Sequence, residues 1–208
     1  KTAALVQRAK RSLAISEVIR QAAVLGPQTS LIAFEGTMWE NRKVDQQLPT
    51  SAANPLRIAR TAVPGEHEPV ALNLFNVTDH ELLVRMQIDP LTNGVVVTPH
   101  RSIGSPTSIG DVSWDALPEL DESWTLTIPS LSSRELWLDL DLGAVKPGEH
   151  KINLRLQALN GAGVLDAPTH PHTVPPPETT VEIALHIPAF AMVPAGEFRL
   201  CTWAAPEE

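Results

Sequence analysis

Two stretches of the chain alternate apolar and polar residues on either side of a short connection, ELWLDLDL at 135–142 and KINLRLQAL at 151–159. Alternation with a period of two is typical of half-buried β-strands. The connection contains Lys146-Pro147-Gly148, which favours a turn. We therefore predict a β-hairpin that needs a second layer to cover its apolar face. The residues on that face are Leu136, Leu138, Leu140 and Leu142, followed by Ile152, Leu154 and Leu156.

The same hairpin predicts which polar residues meet on its other face. With Leu142 opposite Ile152, the register places Asp139 opposite Arg155 and Trp137 opposite Gln157. Asp139 is then interpreted as the partner of a cation on the neighbouring strand. We favour this over the alternative that it belongs to a catalytic carboxylate pair.

Residues 2–25 contain strong helix formers without internal glycine or proline, and Gly26-Pro27 follows them as a stop signal. We predict one α-helix here. Its apolar residues do not form a continuous stripe, so the helix either kinks or contacts two surfaces. One stripe comprises Leu5, Val6, Ala9 and Leu13, and the other comprises Ile15, Val18, Ile19 and Ala22.

After residue 29 the pattern changes to short alternating segments separated by turn residues, which indicates strands and no further helix. We therefore predict an antiparallel β-sandwich of immunoglobulin-like or jelly-roll-like type. We divide the chain into a helical linker or packing element at 1–26 and a sandwich domain at 27–208, with a long proline-rich loop at 160–178. The other strands are predicted at 30–35, 56–62, 69–76, 81–88, 94–98, 124–128, 180–187 and 197–203.

The chain has 208 residues, of which 43% are hydrophobic and 19% charged, as in ordinary globular domains. Its net charge of −8 argues against nucleic acid and anionic membrane surfaces as partners. No apolar run is long enough for membrane insertion. Cys201 is the single cysteine, so no disulfide framework is expected and the compartment stays open. Without an initiating methionine, the sequence is interpreted as a piece of a longer polypeptide.

No serine lies in a nucleophile elbow and no glycine-rich loop leads into a helix, so we predict no catalytic residue and no cofactor site. His170 and His172 have metal-binding side chains, but they lie in the predicted loop with only Asp166 nearby. A solvated loop is the favoured interpretation, and no metal site is predicted. The triplet Asn76-Val77-Thr78 fits an N-glycosylation acceptor and equally a turn between strands.

Trp137 lies on the polar face of the predicted hairpin, which leaves two interpretations. Either the N-terminal helix or a loop covers it, which we favour, or it is an exposed platform on which a sugar ring stacks. In the second case the carbohydrate contacts are Trp137, Asp139, Arg155 and Gln157, with Trp39 as a further contact.

Three segments of the chain also carry short motifs in a fixed order. Segment 58–88 has a Gly-Glu-x-Glu-Pro entry (Gly65, Glu66, Glu68, Pro69) and a strand that ends at Asn76. Segment 133–159 has Leu136-Trp137-Leu138 and the Lys146-Pro147-Gly148 turn, and segment 181–204 passes through a proline to Thr202-Trp203. This series resembles the N-terminal β-sandwich region of bacterial proteins of the DUF4091 and glycoside hydrolase family 123 type.

In that family the sandwich precedes a (β/α)₈ barrel, and the catalytic carboxylates belong to the barrel. The resemblance therefore implies a non-catalytic accessory domain whose partner is the barrel of the same polypeptide, in an extracellular or periplasmic protein. Two other functions stay open: a freestanding carbohydrate-binding module, and an immunoglobulin-like structural or adhesion spacer.

Overall fold

The computed structural model describes residues 2–26, 28–37, 47–91, 94–108, 112–160 and 178–189. One helix, α1, precedes the described strands. The elements are α1 (Thr2–Leu25), β1 (Leu31–Glu35), β2 (Leu56–Thr61), β3 (His67–Asn76), β4 (Leu82–Ile88), β5 (Val96–Arg101), β6 (Ile103–Pro106), β7 (Val112–Ala116), β8 (Thr125–Ile128), β9 (Ser133–Asp141), β10 (Gly148–Ala158) and β11 (Glu178–Ile187).

The strands form two open sheets, which confirms the predicted β-sandwich with an N-terminal helix. Sheet 1 has four antiparallel strands in the order β1-β3-β9-β5. Sheet 2 has five strands in the order β2-β11-β10-β4-β8, in which only the β2–β11 pair is parallel. A separate ribbon pairs β6 with β7.

The core lies between the inner faces of the two sheets, and alternation along each strand supplies it. All seven aliphatic residues predicted to share the buried face are 1% exposed or less. Burying a side chain of this size contributes about 1.5–3 kcal/mol. Strand alternation therefore identified the inner face of both β9 and β10 correctly.

The predicted pairing of these two strands is wrong. β9 pairs with β3 and β5 in sheet 1, whereas β10 pairs with β11 and β4 in sheet 2. The connection between them crosses from one sheet to the other, and Leu142 exchanges backbone hydrogen bonds with Gly65 and Glu66. Two strands can bury their apolar faces by lying side by side in one sheet. They bury these faces equally well when they belong to two sheets that face each other across a core.

The helix is confirmed as a continuous element, and within the described residues the second of its two stripes is the one that is partly covered, since Ile19 stays 41% exposed. Val18 and Ala22 are buried against Ile32 of β1 and Phe75 of β3, on the side of sheet 1 away from the core. The other stripe faces outward, and Leu13 is 75% exposed.

The β6–β7 ribbon was not predicted, because its strands are short and contain a glycine and a proline. Gly104 is required for close packing, since a Cβ there would lie 3.1 Å from the ring of Trp114 on β7. The Arg134 guanidinium lies 6.0 Å from the centre of the same ring. The predicted strand at 94–98 is shifted to Val96–Arg101. The predicted strand at 197–203 and most of the proline-rich loop lie outside the described residues.

Candidate functional site

The candidate site lies on the outer face of sheet 1, the face that points away from the sandwich core. Three of its strands contribute to the site: the two central strands β3 and β9, and the edge strand β5. Alternate residues of these strands reach the outer face because their neighbours in sequence point inward. They are His67, Pro69, Ala71, Asn73 and Phe75 of β3, Ser133, Glu135, Trp137, Asp139 and Asp141 of β9, and Val96, Thr98 and His100 of β5.

The residues predicted to form one carbohydrate site lie on two different faces. Trp137 and Asp139 are on the outer face of sheet 1, whereas Arg155 and Gln157 are on the outer face of sheet 2, across the sandwich. Arg155 forms an ion pair with Asp89, with 3.1 Å between Nε and Oδ1. The predicted pairs Asp139–Arg155 and Trp137–Gln157 are therefore wrong. Trp39 lies outside the described residues.

Asp139 instead pairs with His67 of the neighbouring strand. Its Oδ2 and Oδ1 atoms lie 2.9 and 3.1 Å from His67 Nδ1. The hydrogen bond to Asp139 raises the pKa of the His67 imidazole, the charge of Asp139 adds to this, and desolvation opposes it. Sequence reasoning did not single out His67, because only the β3–β9 pairing brings it to Asp139.

Trp137 lies between two strands, with Ala71 of β3 on one side and His100 of β5 on the other. It is half-buried. His100 Nδ1 donates to the Leu117 carbonyl oxygen at 2.9 Å, which leaves Nε2 as the second polar atom of the ring. Thr98 lies opposite Asp139. We refer to Trp137, Asp139, His67, Thr98 and His100 together as the Trp137 patch.

Next to this patch the outer face becomes buried and polar. Glu135 is 5% exposed, and burial raises the pKa of its carboxyl, with the Trp137 indole and the Ser102 hydroxyl opposing the shift. The Trp137 Nε1 atom is itself buried, and no acceptor, the Glu135 carboxyl included, lies at the distance and angle of a hydrogen bond to it. Asn73 is fully buried and donates from Nδ2 to Gln47 Oε1 at 2.7 Å.

The buried side of α1 packs on a described cluster that does not include Trp137. This cluster contains Ile32 and Phe75 of sheet 1. That either the helix or a loop covers Trp137 stays a prediction.

The first half of α1 presents a second surface. Leu5, Val6 and Leu13 are exposed there, at 66%, 47% and 75%. On another side of this half of the helix, an open groove of about 630 Å³ runs between α1 and the β8–β9 connection, lined by Gln7, Arg8, Arg11, Leu48 and residues 130–132.

Within the described ranges, no three His, Cys, Asp or Glu side chains converge as metal ligands do. His170 and His172 lie outside those ranges. No described helix is both long and apolar enough to cross a membrane.

No family model and no curated protein matches this sequence. Among solved structures, the chain is similar to a family 123 glycoside hydrolase from Clostridium perfringens, at 13% identity and a TM-score of 0.48. This match covers 76% of the chain and 27% of the hydrolase, so the chain spans about a quarter of that enzyme's length.

The chain is also similar to single-domain β-sandwich structures. One is a PapD-like domain of human CEP192, at 12% identity and a TM-score of 0.35, covering 67% of this chain and 84% of that domain. Another is SSP-19, an MSP-domain-like protein of Caenorhabditis elegans, at 12% identity and a TM-score of 0.33, covering 62% and 94%.

Proposed function

We propose that this chain is a non-catalytic accessory β-sandwich domain of a glycoside-hydrolase-like protein and packs on a catalytic barrel of the same polypeptide. The observation that carries the proposal is the exposed apolar stripe of α1. The order of short motifs along the chain supplies the family context.

The stripe has the properties of a packing surface. A helix that is apolar on more than one side is normally covered on more than one side, whereas the described part of the chain covers α1 on one side. Burying Leu5 and Leu13 against a partner would each contribute about 1.5–3 kcal/mol before the costs of association. Arg8 and Lys10 lie to either side of the stripe, and this half of the helix carries no acidic residue. Like charges disfavour the same helix of a second copy, so the partner surface is apolar with an acidic rim.

The motif residues occupy positions that define the sandwich. Gly65 and Gly148 adopt positive φ angles of 85° and 140°, which residues with a Cβ rarely adopt, at the turns into β3 and β10. Asn76 joins the end of β3 to the end of β8 and to the turn that follows β3. The resemblance thus rests on residues that shape the fold, which is the expected pattern for a domain without the catalytic carboxylates.

Three carboxylates on the outer faces of the two sheets are engaged in structural contacts, which supports a non-catalytic role. Asp139 is bound to His67, and Asp141 Oδ1 accepts from the Gly143 amide at 2.8 Å. Glu182 lies within 3.3 and 3.4 Å of Arg57 and Lys151.

Amide hydrogen exchange of α1 tests the proposal when the isolated chain is compared with the full-length parent protein. We expect the amides of residues 5–13 to exchange more slowly in the parent, because the barrel covers this half of the helix. Leu13→Glu should remove that protection in the parent. Ala14→Glu, at an exposed position beside the stripe, is the matched control and should not. Equal exchange in both proteins, or a gene without a barrel-sized continuation, contradicts the proposal.

A further inference from the structure

The Trp137 patch has an aromatic surface that neither the sandwich core nor the helix uses. Trp137 is a central residue of sheet 1, with strands paired on both sides, so its backbone is engaged. Its Nε1 atom is buried although the residue as a whole is half-buried. The exposed part of the side chain is therefore ring carbon, which is the part that stacks on a ligand.

The position of the ring is fixed by its surroundings. Ala71, fully buried beside it, occupies little space, and Glu135, two residues away on the same face of β9, is also buried. An aromatic ring held in one orientation binds at a lower entropy cost than a freely rotating side chain. Both features prepare the ring for a flat ligand before any ligand arrives.

Hydrogen-bonding groups surround the ring on adjacent strands. Directly opposite residues in antiparallel strands have Cβ atoms about 4.5–5.5 Å apart, so His100 adjoins Trp137 and Thr98 adjoins Asp139. The side chain of Asp139 is 36% exposed and that of His67 is 63% exposed. The patch thus offers carboxylate acceptors, imidazole nitrogens and a hydroxyl group. These groups lie close enough to the indole ring to reach the hydroxyl groups of a single sugar residue stacked on it.

The charge of the patch selects among ligands that stack on aromatic rings. Asp139 and Asp141 lie on the same face, and the whole chain carries a charge of −8. These charges oppose the phosphates of nucleic acid and the carboxylates of acidic sugars. A neutral sugar ring presents an apolar face to the indole and hydroxyl groups to the polar side chains.

We propose that the Trp137 patch binds a neutral oligosaccharide, with one pyranose ring stacked on the indole and its hydroxyl groups bonded to Asp139 and His100. The site is independent of the accessory role, because it involves neither α1 nor a second domain. Arg155, Gln157 and the rest of the sheet 2 face take no part in it.

Saturation-transfer NMR on the intact chain tests the site, with cellotetraose, maltotetraose, mannotetraose and N-acetylchitotetraose as probes. We expect transfer to at least one of the four, with an affinity of order 1 mM, as is typical of single open stacking sites. Trp137→Ala should weaken that binding at least tenfold. Gln157→Ala, on the opposite sheet, is the matched control and should leave it unchanged.

A second variant separates loss of the site from loss of folding. Thr98→Lys, at a half-buried edge-strand position beside Asp139, fills the patch while retaining the tryptophan, and should also abolish binding in a chain with an unchanged far-UV circular dichroism spectrum. Absence of transfer from all four probes at about 20 times the expected dissociation constant overturns the proposal. Transfer that survives both variants overturns it as well. A negative binding result does not change the outcome expected from hydrogen exchange of α1. The oligosaccharide site and the accessory role can therefore be disproved independently.

Discussion

At the scale of single residues, Asn76 shows how a short sequence motif acquires its meaning from burial. The triplet Asn76-Val77-Thr78 matches a glycosylation acceptor, yet Asn76 is fully buried. Its Nδ2 donates to the carbonyl oxygens of His80, Ile128 and Pro129, and its Oδ1 accepts from the backbone and hydroxyl of Thr78. In the folded chain this side chain ties the end of β3 to the β8–β9 connection and leaves no room for a glycan.

Removing this side chain should cost stability. We expect Asn76→Ala to lower the free energy of unfolding by about 1–3 kcal/mol, because several buried backbone groups lose their partner. Urea denaturation measures the change. Gln87→Ala on β4, where the side chain is exposed, is the control and should change it by less than about 0.5 kcal/mol. Equal stability of the two variants would show that Asn76 is dispensable.

Glu135 is the residue whose protonation should be visible in the stability of the fold. Burial raises the pKa of its carboxyl in the folded state, so the folded chain holds this proton more tightly than the unfolded chain does. The resulting stabilisation is complete below the unfolded pKa, about 4.3 for a glutamate, and is lost as the pH rises through the folded pKa.

We therefore expect Glu135→Gln, which keeps the shape and removes the charge, to gain stability relative to the native chain as the pH rises from about 4 to about 7. Urea denaturation at several pH values gives the difference. The corresponding change at Glu122, which is exposed, should show no such trend. A constant difference between the Glu135 variant and the native chain across this range would mean that the carboxyl is solvated.

At the scale of elements, the main correction concerns β9 and β10. Both strands bury the face that alternation assigned to them, but they belong to opposite sheets. Their outer faces therefore point in opposite directions, and Asp139 and Arg155 lie on opposite surfaces of the domain. Each has another partner, His67 for the former and Asp89 for the latter.

Double-mutant cycles distinguish the two arrangements. We expect a coupling free energy of about 0.2–1 kcal/mol between Arg155 and Asp89, the usual range for an exposed ion pair. Arg155 and Asp139 should combine additively, within about 0.3–0.5 kcal/mol. Coupling between Arg155 and Asp139 above that limit would restore the hairpin.

At the scale of the whole molecule, the chain is a sandwich whose surfaces differ in character. The outer face of sheet 1 is buried near α1 and open at the Trp137 patch. The outer face of sheet 2 carries charged pairs such as Glu182 with Arg57. The first half of α1 adds an apolar surface. Glycoside hydrolysis requires a pair of carboxyl groups with distinct roles, whereas the described Asp139, Asp141 and Glu182 each form hydrogen bonds or ion pairs with other residues of the chain.

We therefore expect the isolated chain to release no aglycone from a panel of aryl glycosides, measured against a buffer blank. Binding at the Trp137 patch should proceed without turnover. Reproducible hydrolysis that a single substitution such as Asp139→Asn abolishes would instead assign a catalytic role to this surface. The matched substitution Glu182→Gln, on the opposite sheet, separates a specific loss from a general one.

The sequence alone determined α1, the longer strands and the face that each of these strands buries. Helix formers closed by Gly26-Pro27 specify α1, and alternation specifies the inner residues of β3, β4, β9, β10 and β11. These signals are local, because a side chain two residues along a strand returns to the same face wherever the strand lies. The motif series likewise indicated a sandwich.

Only the tertiary structure decided which strands are neighbours, and with them the composition of the site. His67 and Asp139 are 72 positions apart, and no local pattern joins them. His100 lies beside Trp137 because it belongs to the edge strand β5. The sequence placed this strand at 94–98, which left His100 outside it. The β6–β7 ribbon also depends on packing around Trp114 that short strands do not signal. Alternation fixes the direction of a side chain, whereas pairing is set by contacts between distant segments, so the face of Trp137 was predictable and its neighbours were not.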